Sequence, residues 1–235
     1  MIKKVEVLLS FPLGARFTDN LDVSVYRQFI NFIHQLSCFN SLSKCKDCRN
    51  KNECRYYSIT GNNLTQYPGI LVKSDLFSKT LFKRNEQKIF TFYFVGNNEV
   101  FSEYVSLYFT NLNQRLFGNF FYLKEISNIQ LNSEERTLQS FSLYSPVESI
   151  NFSKVYNEMG TFYNRNYGTD YKLIGGDIHL IQTRQIEWVP VSFRTKKISV
   201  DGFVGKIDIP IPLNTDFLEI GIGKYNFLGG GQIEN

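Results

Sequence analysis

The residues best suited to chemistry are clustered. The four cysteines all fall in one stretch, Cys38-x6-Cys45-x2-Cys48-x5-Cys54. A C-x2-C pair is a zinc spacing, and four thiolates can close a tetrahedral Zn²⁺ site. Such an ion would be structural, with every position filled, and would order a stretch too short and polar to have its own core. His34, one helical turn before Cys38, could replace one thiolate. The plainer reading is four reduced thiols in a loop. His34 is also one of only two histidines, and imidazole can give or take a proton near neutral pH. Around the cysteines stand Lys44, Lys46, Arg49, Lys51 and Arg55 against only Asp47 and Glu53. Lys44 and Lys51 could stabilise negative charge developing in a transition state, or simply be solvated loop lysines. His179, in Asp177-Ile-His179-Leu-Ile181, reads as a structural strand residue.

Near the end of the chain come Gly221-x-Gly223-x5-Gly229-x-Gly231, with Lys224 inside. Glycine permits positive φ and close backbone approach, so the loop could offer amide N–H groups to phosphate. No helix pattern follows, which excludes a P-loop and a dinucleotide fingerprint. The alternative is a bulged structural hairpin. Arg194, Lys196 and Lys197 form a basic run before the Gly202-x2-Gly205 turn. With Lys224 they could line an electropositive strip that contacts phosphates; otherwise they are ordinary strand-edge charges.

The elements that must position these groups follow from periodicity. Lys4–Phe11 reads as a strand, and Val23–Leu36 as a helix capped by Asp22 or Ser24. Val25, Phe29, Phe32, Ile33 and Leu36 form its apolar stripe, with Tyr26 at the edge; Arg27, Asn31, His34 and Cys38 share another face. Strands at Tyr67–Lys73 and Lys88–Val95, a helix from Asn97 or Asn98 to Leu116, and a strand at Phe120–Ile129 complete a split βαβ order. That is the ferredoxin-like plan shared with RNA-recognition modules. Beyond the polar turn Asn132–Glu135 the chain reads as mostly β. Leu138–Leu143 is a strand ended by Ser145-Pro146, and Ile150–Met159 a short helix. Strands follow at Tyr171–Ile181, Gln185–Phe193, Ser199–Pro210, Phe217–Ile220 and Phe227–Ile233. The expected class is α+β: two tandem ferredoxin-like (RRM-like) domains. Residues 1–131 carry the Cys-rich insertion 38–58, and residues 132–235 carry the glycine-rich loop 221–231.

Composition narrows the function. The chain has 235 residues, 43% hydrophobic and 16% aromatic, with net charge +4. So small an excess suits local basic patches better than general polyanion binding. No apolar run of about 18 residues exists, so no membrane span is expected. The N-terminus is broken by Glu6 and alternates like a strand, unlike a signal peptide. A cytoplasmic protein is expected.

The glycine spacing resembles the C-terminal loop of the RAMP superfamily of CRISPR-associated RNA-binding proteins. In particular it is similar to the endoribonucleases that process CRISPR precursor RNA. Gly230 stands where those proteins usually carry a bulky apolar residue. Three further stretches match in order. They are the cysteine cluster ending Cys54-Arg-Tyr56, similar to the insertion of type III-like members; Phe141-Ser-Leu-Tyr-Ser145-Pro146; and Trp188 through Gly205. The resemblance implies an RNA partner and cleavage within each repeat without a catalytic metal. Attack by a 2′-OH would leave a 2′,3′-cyclic phosphate and a 5′-OH. His34 would be acid or base, with Lys44 and Lys51 assisting. Arg194, Lys196, Lys197 and the glycine loop (Gly221, Gly223, Lys224, Gly229, Gly231) would hold the RNA. The alternatives are a non-catalytic RAMP subunit on guide RNA in an effector complex, and a zinc-stabilised RNA-binding module outside CRISPR biology.

Overall fold

Strand β1 (Ile2–Phe11) buries Val5, Val7, Leu9 and Phe11 at every second position, as a pleated strand with one covered face must. It is paired on both sides. β3 (Glu86–Val95) lies antiparallel to it with Val5 opposite Phe92 and Val7 opposite Phe90. β4 (Tyr122–Leu131) lies antiparallel on the other side. β2 (Ile70–Val72) extends the sheet beyond β3. The spatial order is β2-β3-β1-β4. The computed structural model describes residues 2–38, 44–61, 64–74, 79–192 and 197–234, and within these not the side chains of 189–192, 197 and 198.

Helix α1 (Leu21–Ser37) covers this sheet. Its cap is Asn20, whose side chain accepts the Val23 N–H at 3.1 Å; neither Asp22 nor Ser24 fills that role. Asp22 is buried and bonded to Lys88 at 2.8 Å. Val25, Phe29, Phe32 and Ile33 are buried as the pattern requires, whereas Leu36 in the last turn is half exposed. The Phe29 ring lies 5.2 Å from Phe92 and 5.6 Å from Tyr108. Burying such a ring contributes roughly 1.5–3 kcal/mol. Cys54 ends the second of two 3-10 turns and caps the short α2 (Arg55–Thr60). The expected second helix is shorter than its pattern: a 3-10 turn at Gly96–Phe101, then α3 (Tyr104–Asn111).

The second half repeats the strand order. β5 (Glu135–Leu138) pairs only with β9 (Ile211–Asn214). The main sheet runs β7-β8-β6-β10, from β6 (Phe141–Val147), β7 (Ile181–Ser192), β8 (Lys197–Ile207) and β10 (Ile233–Glu234). Ser145-Pro146 lies inside β6 rather than ending it. The register shifts between Leu143 and Val147, and a proline is tolerated at such an irregularity because no ladder N–H is required there.

This half is less β-rich than its sequence reads. α4 (Phe152–Tyr167) is a full helix, capped by Asn151 on the Lys154 N–H at 2.9 Å and ended by Gly168 in the left-handed region. Its buried stripe is Phe152, Val155, Tyr156, Met159, Tyr163 and Tyr167. Gly160 interrupts the aliphatic pattern, for a Cβ there would crowd Leu173 at 3.1 Å. Phe217–Ile220 belongs to a helix, α5 (Thr215–Ile220), not a strand. Residues 171–180 are irregular apart from a bridge between Asn151 and His179.

The two sheets share a core. Ile2, Leu71, Tyr93 and Val95 pack in one cluster with Tyr163, Tyr167 and Phe217. The tyrosines keep their hydroxyls bonded: Tyr167 donates to the Tyr67 carbonyl at 2.7 Å and Tyr93 to Glu219 at 2.9 Å. No helix among the described residues is long and apolar enough to cross a membrane.

Candidate nucleic-acid interface

The glycine loop follows α5 and returns the chain to β10. Gly221, Gly223, Gly229 and Gly231 all have positive φ, between +66° and +93°. This accounts for the spacing: each position needs a backbone that L side chains rarely adopt. At Gly231 a Cβ would strike the Ile222 backbone, and at Gly223 it would strike the Glu148 carboxylate.

The glycine amides of the loop, with those of Ile222 and Lys224, are bonded within the protein rather than open to phosphate. The Ile222 N–H bonds the Gly231 carbonyl at 2.9 Å, and the Gly231 N–H bonds the Pro146 carbonyl at 3.0 Å. Gly221, Gly229 and Gly230 donate to Phe217, Asn226 and Tyr225. Gly223 donates to the Met159 sulfur at 3.3 Å. Both oxygens of Glu148 receive the Lys224 N–H, at 3.2 and 3.3 Å, so a protein carboxylate occupies the place where an anion could have bound. Burial raises the pKa of Glu148 above the usual carboxylate range, against the opposing effect of these N–H groups and the Lys224 charge. The Tyr67 hydroxyl donates to the same carboxylate at 3.3 Å.

Side chains, not amides, face outward from the loop. Lys224, Tyr225 and Phe227 line a groove of about 390 Å³. Its other walls are Arg27 on α1, Thr65 and Gln66 on the turn before β2, and Ser199 and Val200 on β8. The Lys224 ammonium sits 5.0 Å from the Tyr225 ring centre. Trp188, opposite Val200 in the β7–β8 ladder, meets Tyr225 edge-on at 5.6 Å. Tyr26 packs against Phe227 at 5.9 Å, as a largely packing residue. Partial burial lowers the pKa of Arg27, with Tyr26 and Asp19 opposing.

Two turns along the same face of α1, roughly 10 Å from Arg27, lies His34. Its ring rests on Tyr56, centres 4.3 Å apart. His34 and all four cysteines line one void of about 20 Å³, with Lys51, Tyr56 and Tyr57. Each cysteine marks a junction. Cys38 ends α1, Cys45 opens and Cys48 closes a 3-10 turn, and Cys54 closes the next turn, Lys51–Glu53. Among the described residues no group of three or more His, Cys, Asp or Glu is arranged to hold a metal ion as it stands. The void gathers the thiols without drawing them to ligating separation. The two observations are compatible, because metal binding and local folding are coupled. Of the candidate lysines, Lys44 is exposed, and Lys51 donates to the Lys46 carbonyl at 3.2 Å. Burial, with the nearby thiols, raises the pKa of Tyr56.

Arg194 and Lys196 lie outside the described residues, and Lys197 opens β8. Ser199 and Val200, just beyond Lys197, reach the groove. His179 is a bridge residue whose imidazole is 3.2 Å from Asp177. The periodicity placed Arg27 on the His34 face but gave it no role. Nothing in the local sequence pointed to Glu148 or Gln66.

No protein-family model and no curated protein matches the sequence. Solved structures do match along the whole chain. One described as "CRISPR associated protein Cas6" superposes with a TM-score of 0.52 at 11% identity, covering 100% of this chain and 99% of that one. "An RAMP protein binding different RNA substrates" gives 0.55 at 12% identity, covering 99% and 98%. A Cas6 product complex gives 0.56 at 9% identity, covering 99% of each. At such identities the likeness is one of fold: this chain has the mixed α/β architecture of Cas6 and RAMP proteins.

Proposed function

We propose that this chain is a metal-independent endoribonuclease that cuts CRISPR precursor RNA within its repeats. The observation that carries the reading is the shared face of α1, which puts Arg27, lining the groove with the glycine loop, on the same side of the helix as His34 in the cysteine-lined void. RNA laid in the groove would meet cations first and a proton-transfer group next. His34 would take the proton from the attacking 2′-OH or give one to the departing 5′-oxygen, leaving a 2′,3′-cyclic phosphate and a 5′-OH. Lys44 and Lys51 would offset charge on the phosphorane. Arg194, Lys196, Lys197 and Lys224 would bind backbone phosphates, while the glycines shape the loop that presents Lys224. On this reading the chain is two tandem ferredoxin-like domains, 1–131 and 132–235, working in the cytoplasm. The four cysteines would hold a structural zinc ion that orders the insertion.

One observation favours a second reading, a RAMP subunit that binds guide RNA in an effector complex without cutting it. His34 rests on Tyr56 among the thiols, where it could serve structure alone. Incubating the purified protein with repeat RNA in EDTA decides between them. A single cut with a cyclic phosphate end is expected; tight binding with intact RNA would replace the nuclease with the subunit.

A further inference from the structure

We propose that the groove between α1 and the glycine loop is a nucleobase site, holding one unpaired nucleotide with its base against Tyr225 and Phe227. The inference rests on the RNA-binding reading and adds where a base is held and by what. The groove combines features that backbone binding alone does not need. Tyr225 and Phe227 are only partly buried, on a loop whose glycines and other apolar side chains are buried. Val200 adds an apolar wall, and Arg27 and Lys224 supply two cations. Aromatic faces beside cations form a stacking platform for single-stranded nucleic acid. The Lys224 ammonium already lies near the Tyr225 ring, and a base sliding over that ring would displace it toward the flanking phosphate.

Gln66 provides the reader. Its side chain lines the groove and is bonded to no other group among the described residues. A carboxamide offers a donor and an acceptor side by side, which matches a base edge. The rigidity of the platform comes from below. Glu148 fixes the Lys224 N–H, and the Tyr225 carbonyl accepts from Leu228 and Gly230, both at 2.9 Å. The aromatic corner is therefore set before RNA arrives.

The chain supplies its own probe, because Trp188 is its single tryptophan and touches Tyr225 edge-on. The test titrates a short single-stranded oligoadenylate against the same oligomer carrying 2-aminopurine at one central position, and against one with an abasic residue there. The 2-aminopurine should be quenched on binding and Trp188 emission should change. The abasic oligomer should bind more weakly, by about tenfold for one lost stacked base. Tyr225→Ala should abolish the quenching and erase the difference between intact and abasic oligomers, while Tyr225→Phe keeps both. Melting curves exclude loss of folding. Equal affinity of intact and abasic oligomers for the unaltered protein would overturn the base site and leave RNA binding standing. No binding of any oligomer or of repeat RNA would overturn the RNA reading itself, and the base site with it.

Discussion

The glycine loop and the Cys-rich insertion both flank the α1 face that carries Arg27 and His34, yet they are built in opposite ways. The loop is held from inside: its glycines are buried, their amides are bonded, and a carboxylate closes its corner. The insertion's two 3-10 turns contain no buried residue. The backbone hydrogen bonds of those turns run within the same few residues, such as Cys48 to Cys45 and Cys54 to Lys51, both at 3.3 Å, and Arg55 beyond them reaches Tyr104 on α3. A segment without apolar burial has little to offset its ordering entropy, about 1–2 kcal/mol per residue. The loop needs nothing further to keep its shape. The insertion needs an external tie, and the thiols converge there on one void with His34, Lys51 and Tyr56.

The largest expected effect breaks that tie. Cys45→Ser with Cys48→Ser should remove about one zinc per chain and make residues 44–60 sensitive to protease, with the melting transition of the two sheets moving by only a few degrees. Metal analysis showing no zinc in the native protein, with all four thiols freely reactive, would sink the comparison. His34 lies on the insertion side, in the void that the cysteines line. His34→Ala should slow single-turnover cleavage by about 10²-fold or more with RNA affinity and zinc content unchanged. If zinc is lost as well, His34 is a ligand and not the acid or base.

The loop should fail differently. Gly231→Val places a branched Cβ against the Ile222 backbone at φ +66°. Strain of about 1–3 kcal/mol corresponds to a drop of about 2–12 °C in melting temperature for a chain of this size. An unchanged melting temperature would mean that the loop is not closed from inside.

What could be read in advance follows from where the physics is local. β1 and α1 announce themselves because Val5, Val7 and Leu9 alternate and Val25, Phe29 and Phe32 recur at helical spacing. The positive-φ glycines are equally legible, since only backbone geometry requires them. α4 was half hidden: its stripe uses tyrosines whose hydroxyls find distant partners, such as Tyr156 accepting the Asn214 N–H at 2.8 Å, and Gly160 breaks the run. Phe217–Ile220 is apolar on so short a run that strand and helix look alike. The loop's phosphate-binding appearance misled for a different reason. Its amide partners Pro146, Glu148 and Met159 lie far away in sequence, and spacing cannot reveal a long-range hydrogen bond.

Glu148 allows a finer test of the inner closure. Burial raises its pKa. A raised carboxylate favours the folded state most when protonated, so its contribution is full below the usual carboxylate range and is lost as pH rises through the shifted value. At pH 7 the charged form therefore costs stability. Glu148→Gln, which keeps an acceptor for the Lys224 N–H, should melt at the same temperature as the unaltered protein or a few degrees higher at pH 7. Below about pH 4 that gain should vanish. A marked loss of stability at pH 7 would show that the charge itself holds the corner.

The smallest effect separates what the loop presents from what holds it. The Lys224 N–H belongs to the closure through Glu148, while its ammonium belongs to the groove, 5.0 Å from Tyr225. Lys224→Ala removes only the second, since the amide and its bond remain. Its melting temperature should change little, because an exposed cation–π contact contributes only about 0.5–1 kcal/mol. If the ammonium neutralises one phosphate of single-stranded RNA, the slope of log affinity against log salt should shrink by about 0.7 unit. The loss should be uniform across RNA sequences, since a phosphate contact carries no base information. Tyr225→Ala, by contrast, should leave the slope intact and lower affinity at every salt concentration. A Lys224→Ala protein with unaltered slope and affinity would confine Lys224 to the loop's own architecture and leave Arg27 as the groove's working cation.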